Sequence, residues 1–243
     1  MPRSAAALII GNEILTGKIR EANLHVLARE LRLLGIELKR AVVCEDDIDV
    51  IAEDLRALRR GYDLVFTSGG VGPTPDDLTL PAVAKAFDRP LERSSTIEGL
   101  IRGYWGERVT EGHLRMADVP QGAELSSNAE MPWPVISVDN VCVLPGVPEI
   151  FRVKLRLLRD KIGTDAPFVS RALFTTCDEG TIAALLEELG RRHPAVAIGS
   201  YPAWRNPEYR VKLTFDGRES DAVDAAVDAC REALDDDAIV RVE

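Results

Sequence analysis

Asp63-Leu64-Val65-Phe66-Thr67-Ser68-Gly69-Gly70-Val71-Gly72-Pro73-Thr74-Pro75-Asp76-Asp77-Leu78-Thr79 is the stretch from which the fold is read. Leu64 to Phe66 is a short apolar run of the kind that fills a parallel sheet covered on both faces. Three glycines within four residues follow, and they allow close backbone approach and positive φ. The amides of such a turn, with those at the start of the next helix, make a place for a phosphate. Asp76 and Asp77 come directly after and would repel that phosphate unless a cation lay between. A hard divalent ion such as Mg2+, which prefers oxygen ligands and phosphate, resolves the conflict. The same residues also read as an ordinary helix start, because Asp and Thr favour helix N-termini and Pro73 and Pro75 stiffen a loop. The ligand reading is favoured because glycines and acids coincide at the C-terminal end of a strand, where open α/β sheets bind ligands. Gly70-Val71-Gly72 lacks the third glycine of a dinucleotide fingerprint, and no Lys-Ser or Lys-Thr follows as in a P-loop.

Upstream, Ala6 to Ile10 reads as a first buried strand, followed by the polar loop Gly11-Asn12-Glu13-Ile14-Leu15-Thr16-Gly17-Lys18. That loop also lies at a strand's C-terminal edge, and alone it is no more than a βα turn. Asn23 starts a helix with Leu24, Leu27, Ala28, Leu31 and Leu34 at helical spacing, stopped by Gly35. Ile36 to Val43 is a second strand, and Asp47 to Arg60 a second amphipathic helix. A β-α-β-α-β start predicts a parallel sheet with right-handed crossovers and helices on both faces.

Downstream, helices are expected over Leu78 to Phe87, Thr96 to Trp105 and Val109 to Ala117, with Trp105 packing. Lys18 and Arg115 are candidate phosphate partners, although each also reads as a solvated surface cation. Ser126 to Pro134 reads as loop. Val135 to Val138 and Val141 to Leu144 flank Asp139-Asn140 as a hairpin or a pair of strands. Pro145-Gly146-Val147-Pro148-Glu149 then opens a helix carrying Phe151, Leu155, Leu158 and Ile162, a second place where backbone amides come close to something. Glu149 also suits the helix dipole without any ligand. Gly163 to Pro167 is the linker candidate. Beyond it the order β-α-β-β-α-β predicts a small split βαβ domain, without the Gly-x-x-Gly clamp or basic platform of an RNA binder. Its turn Gly199-Ser200-Tyr201-Pro202-Ala203-Trp204 reads as packing or a subunit contact.

Composition limits the function. In 243 residues, the formal net charge of -10 argues against a general nucleic-acid binder. No apolar run approaches a membrane span, and the Met1-Pro2-Arg3-Ser4 start shows no signal-peptide pattern. Cys44, Cys142, Cys177 and Cys230 are widely spaced, as expected of reduced core residues in a cytoplasmic protein. His25, His113 and His193 form no metal-spaced set, and no Gly-x-Ser-x-Gly elbow is present.

The Gly11 to Gly17 loop, the Gly69 to Thr79 stretch and Leu144-Pro145-Gly146-Val147-Pro148-Glu149 together resemble the molybdopterin-binding-like (MoaB/Mog) domain. The variant is similar to that of the competence/damage-inducible protein A (CinA) family. The second half, with Asp178-Glu179-Gly180-Thr181-Ile182-Ala183 and Gly199-Ser200-Tyr201-Pro202, resembles the small domain that follows it there. As a whole the chain is most similar to the amino-terminal region of eukaryotic FAD synthases. The resemblance implies a three-layer α/β/α mostly parallel sheet over residues 1–163, a βαββαβ domain over residues 168–243, and a homodimer. It implies metal-dependent cleavage of a dinucleotide diphosphate such as ADP-ribose or FAD. The alternative is binding of a nucleotide or pterin phosphate, or adenylyl transfer to molybdopterin, without hydrolysis; a third is a purely structural partner domain. Asp77, Asp76 and Glu13 (or Glu149 as base) are the catalytic candidates. The metal would sit on Asp77 and Asp76, with Mg2+ or another divalent cation expected and K+ as a further candidate. The ligand set is Gly11, Asn12, Gly17, Asn23, Gly69, Gly70, Gly72, Pro73, Thr74, Pro145, Gly146, Pro148 and Glu149. The resemblance stops short of any nicotinamide-nucleotide deamidase or flavin adenylyltransferase domain. Two departures, Glu130-Met131-Pro132-Trp133-Pro134 in place of a small-residue Gly-Thr-Ala-Pro-Gly segment and Leu114 in place of a common arginine, favour the FAD-synthase-like branch.

Overall fold

A computed structural model describes residues 3–243. Met1 and Pro2, part of the start read for a leader pattern, lie outside the described residues. The chain divides into two compact units, Met1–Asp165 and Ala166–Glu243.

The first unit runs β1 (Ser4–Ile10), α1 (Asn12–Leu15), α2 (Asn23–Leu33), β2 (Glu37–Cys44), α3 (Ile48–Gly61) and β3 (Leu64–Ser68). It continues through α4 (Thr79–Ala86), β4 (Leu91–Arg93), α5 (Ser95–Trp105), α6 (Glu111–Arg115), β5 (Asp118–Pro120) and β6 (Glu124–Ser126). A hairpin of β7 (Val135–Val138) and β8 (Val141–Leu144), then α7 (Pro148–Leu157) and α8 (Arg159–Ile162), completes it. Six strands form one sheet in the order β2-β1-β3-β8-β7-β6. The first four are parallel, and β7 and β6 each run antiparallel to their neighbour.

Alternation along β1 explains the three layers. Ala6, Leu8 and Ile10 pack on one face against Ile51, Leu55 and Leu58 of α3 and Val83 of α4. Ala5, Ala7 and Ile9 pack on the other against Leu27 and Leu31 of α2 and Phe151 and Leu155 of α7. With both faces covered, each large side chain adds roughly 1.5–3 kcal/mol of burial. Asp47 caps α3 by accepting from the amides of Asp49 and Val50, as Asp does at helix starts. The β7–β8 turn uses Asp139 at φ 49° and Asn140, whose Nδ2 donates to the Arg59 and Tyr62 carbonyls, 2.9 Å each.

The second unit runs β9 (Val169–Thr175), α9 (Glu179–Arg192), β10 (Ala197–Pro202), β11 (Val211–Gly217), α10 (Ser220–Ala233) and β12 (Ile239–Val242). Its sheet is antiparallel in the order β10-β11-β9-β12. Buried and half-buried residues alternate along β11, and Leu213 and Phe215 meet Leu189, Val223 and Val227 of the two helices. Both expected architectures, the mostly parallel sheet with helices and the small βαββαβ domain, are therefore present.

Some local expectations fail. The expected helix over Val109 to Ala117 is only the short α6, preceded by a 3-10 turn at Gly106–Arg108. The loop assigned from Ser126 begins one residue late, because Ser126 closes β6 against Val135. The Gly11 to Lys18 loop contains the single turn α1. All four cysteines are free, with Cys44, Cys142 and Cys230 buried. Among the described residues no helix is long and apolar enough to cross a membrane.

Candidate functional site

The C-terminal ends of β1, β3 and β8 converge because glycines remove the side chains that would hold them apart. Gly69 has φ 110°, and a Cβ there would lie 2.1 Å from the Ile10 carbonyl oxygen. Gly70 has φ 62°, and its Cβ would meet the Thr79 hydroxyl at 2.5 Å. Gly146 lies against Gly69, so close that a Cβ on Gly146 would come within 3.4 Å of the Gly69 Cα. The bend is closed by Thr79, fully buried, whose Oγ1 donates to the Gly69 carbonyl at 2.8 Å and whose amide donates to the Gly70 carbonyl at 3.0 Å. The sequence marks Thr79 only as part of a helix start, not as the residue that closes the bend. A threonine opening an apolar helix two residues after the acid pair was the available signal.

Asn23, buried at the start of α2, ties the other two ends. Its Nδ2 donates to Ser68 Oγ at 2.9 Å and to the Gly146 carbonyl at 2.8 Å. Its Oδ1 is buried without a partner among the described residues. Glu21 Oε1 accepts from the amides of Asn23 and Leu24 at 2.7 and 2.9 Å and fixes the start of that helix.

A cavity of about 230 Å3 opens on the bend, lined in part by Gly70, Gly72, Thr74, Asp77 and Arg115. The amides of Gly70, Val71 and Gly72 donate to no acceptor among the described residues. Asp77 is half-buried, and its Oδ2 accepts from the Thr74 amide at 2.8 Å and the Thr74 hydroxyl at 2.6 Å. Gly72 makes room for it, since a Cβ there would fall 2.6 Å from that oxygen. The second carboxylate oxygen, Oδ1, has no hydrogen-bond donor among the described residues. Asp76 is exposed and does not line the cavity. Its carboxyl is held below the ordinary carboxylate range, first by the nearby Thr74 hydroxyl, although the geometry gives that hydroxyl's proton to Asp77. Asp118 also lines the cavity, neutralised by Arg93 at 2.6 Å.

The remaining candidates lie around this centre. Pro73 and Thr74 belong to the bend's exposed rim. Pro145 and Gly146 follow β8, and Pro148 and Glu149 open α7 with Glu149 exposed. Asn12 is held outside, its amide donating to Asp46 Oδ2 at 2.8 Å. The Glu13 carboxylate folds back over Gly11, within 2.6 Å of where a Cβ on that glycine would sit. Gly17 and Lys18 are exposed on the same loop. Glu13, Glu149 and Lys18 do not line the cavity at the bend, whereas Asp77 and Arg115 do.

Lys154 is a residue that the sequence did not single out. It lines a second cavity, of about 80 Å3, with Val71, Leu80 and Met116 in common with the first. Burial lowers its pKa from 10.5 to about 8.

Among the described residues no three His, Cys, Asp or Glu side chains cluster as a metal cage. One or two carboxylates, completed by water and phosphate oxygens, is however the usual protein share of a Mg2+ site. Asp77, which lines the cavity and has one carboxylate oxygen without a donor among the described residues, fits that share.

Comparison with known proteins agrees with this architecture. Residues 6–162 match a probable molybdopterin binding domain, and residues 167–243 match the middle domain of FAD synthase. A probable FAD synthase of Caenorhabditis elegans is 32% identical over 96% of this chain and 50% of its own length. A CinA-like protein of Gemmatimonas aurantiaca is 32% identical over 75% of this chain and 46% of its own. The chain thus spans about half the length of these curated relatives. The crystal structure of the protein CinA, of unknown function, from Thermoplasma acidophilum superposes with a TM-score of 0.61 at 30% identity, over 66% of this chain and 99% of that one. The chain belongs to the molybdopterin-binding-domain family, in the branch where that domain is followed by a FAD synthase middle domain.

Proposed function

We propose that the first unit holds the phosphate end of a nucleotide or pterin on the glycine bend, as a binding protein of the molybdenum cofactor biosynthesis type. The observation that supports this is the run of three free amides on Gly70, Val71 and Gly72 beside Arg115. Successive backbone N–H groups make an anion cradle, and an arginine adds a planar fork suited to phosphate. The 230 Å3 cavity is smaller than the roughly 300–1,000 Å3 of a pocket that encloses a whole ligand. It would take the phosphate and leave much of the base exposed.

A second reading is favoured by Asp77: divalent-metal-dependent cleavage of a dinucleotide diphosphate such as ADP-ribose or FAD. Asp77, with Asp76 next to it in the chain, would hold the ion. The ion would polarise a phosphoryl oxygen and lower the pKa of bound water. A homodimer belongs to the same proposal, and Val147, Ile150 and Val153, exposed at the start of α7, are apolar surface available to it.

Incubation with ADP-ribose and with FAD, in Mg2+ or Co2+ and then in EDTA, separates the readings. Saturable binding without product supports the first. Product that EDTA abolishes supports the second. Neither binding nor product, with any metal, overturns both.

A further inference from the structure

Lys154 is a half-buried cation that the fold leaves without a counter-charge. Its Nζ donates to the Pro134 carbonyl at 2.5 Å. Among the described residues no carboxylate lies within the 4.0 Å of an ion pair. Lys39, Lys85 and Lys161 each do have such a carboxylate, from Glu37, Asp49 and Glu124. Around Lys154 the cavity wall is apolar, with Val71, Ile97, Met116, Ile136 and Val143 among its residues. A lysine on a helix ordinarily extends its charged end to water, and an ammonium withdrawn from water without a partner is costly. Burial is the sole cause behind its lowered pKa, with no charged neighbour contributing. The amine has three donors, one of which is used, and the space in front of it holds about 80 Å3.

We propose that this cavity is a second anion subsite, in which the Lys154 ammonium takes one phosphoryl group of a ligand whose other phosphate lies on the glycine bend. Val71, Leu80 and Met116 line both cavities, so the two subsites adjoin. The anion supplies the counter-charge that the fold omits, and the amine supplies up to two charge-assisted hydrogen bonds. The ligand class is then a diphosphate rather than a monophosphate. This assignment rests on the bend being a phosphate site, and the test separates the two.

The full chain is acetylated with acetic anhydride, alone and with inorganic phosphate or pyrophosphate, and each lysine is followed by peptide mass spectrometry. Lys39 serves as the exposed reference. Bend amides are followed by NMR in the same titrations. Pyrophosphate is expected to slow acetylation of Lys154 and leave Lys39 unchanged. Lys154→Met is expected to weaken pyrophosphate binding by about tenfold or more, the size of one charge-assisted bond, and Lys154→Arg to restore part of it. Protection by inorganic phosphate as strong as by pyrophosphate contradicts the diphosphate assignment. Moving bend amides with unprotected Lys154, or Lys154→Met binding like wild type, overturns the subsite and leaves the bend intact. Protection of Lys154 with unmoved bend amides overturns the bend and the bridging ligand. Response at neither place overturns both.

Discussion

Gly69 and Ile10 stand so close that a Cβ on the glycine would lie 2.1 Å from the Ile10 carbonyl oxygen. Two parallel strands therefore end in contact only because one of them carries glycine there, and the positive φ of 110° adds to the requirement. Gly69→Ala is expected to cost at least about 2 kcal/mol, from the unfavourable φ and the displaced strand end together. Gly190, inside α9 with nothing within 4 Å of its added Cβ, is the control. Gly190→Ala should gain up to about 1 kcal/mol. Urea denaturation of both variants checks the contrast.

Asn23→Ala removes the donor shared by Ser68 and the Gly146 carbonyl. Leaving the buried Ser68 oxygen and the partly covered Gly146 carbonyl without that donor costs about 1–3 kcal/mol, read as a lowered urea midpoint with an unchanged slope. Asn23→Asp should be worse, because it loses the same donor and also sets a buried charge against the Gly146 carbonyl oxygen.

Asp77→Asn keeps an oxygen for the Thr74 amide and hydroxyl while removing the charge. Its stability should stay within about 0.5 kcal/mol of wild type, as for a surface change that leaves no polar group unmet. If an ion bridges Asp77 to a ligand phosphate, the variant loses the effect of Mg2+ on ligand affinity. Arg115→Ala should weaken phosphate binding with or without Mg2+. Calorimetric titration in Mg2+ and in EDTA measures both effects.

The alkaline limb of stability should depend on Lys154. Its pKa falls from 10.5 when exposed to about 8 when folded, so between those values the unfolded chain binds more protons and stability rises with pH. Below pH 8 both states are charged and the burial cost is fully present. Relative to Lys154→Met, wild type should gain on the order of 2–3 kcal/mol between pH 8 and pH 10.5. Cys44 acts oppositely, since burial pushes its thiol up to about 12 and stability falls above the unfolded thiol's value. The difference between wild type and Lys154→Met isolates the lysine.

The parallel sheet was legible because β1 and β3 are apolar on both faces, each ends at a glycine, and amphipathic helices separate them. The β7–β8 hairpin was legible because Asp139-Asn140 carries the turn chemistry. By contrast, β4 and β5 are three residues each, and β4 is exposed throughout. Such strands leave no hydrophobic period to read. The same limit hid β6. At the site, the sequence placed Glu13 and Asp77 on neighbouring strand ends but could not tell that Glu13 turns back over Gly11. Lys154 was invisible for a different reason. Its helix reads as amphipathic, and its burial depends on Trp133 and Pro134, some twenty residues earlier in the chain.

The most direct test follows the backbone amides of Gly70, Val71 and Gly72 by 15N–1H NMR as pyrophosphate is added. A phosphate held in the bend should move these three resonances most, saturably, and shift them again when Mg2+ is added. Shifts confined to other parts of the chain, or none at all at millimolar pyrophosphate, would contradict the account.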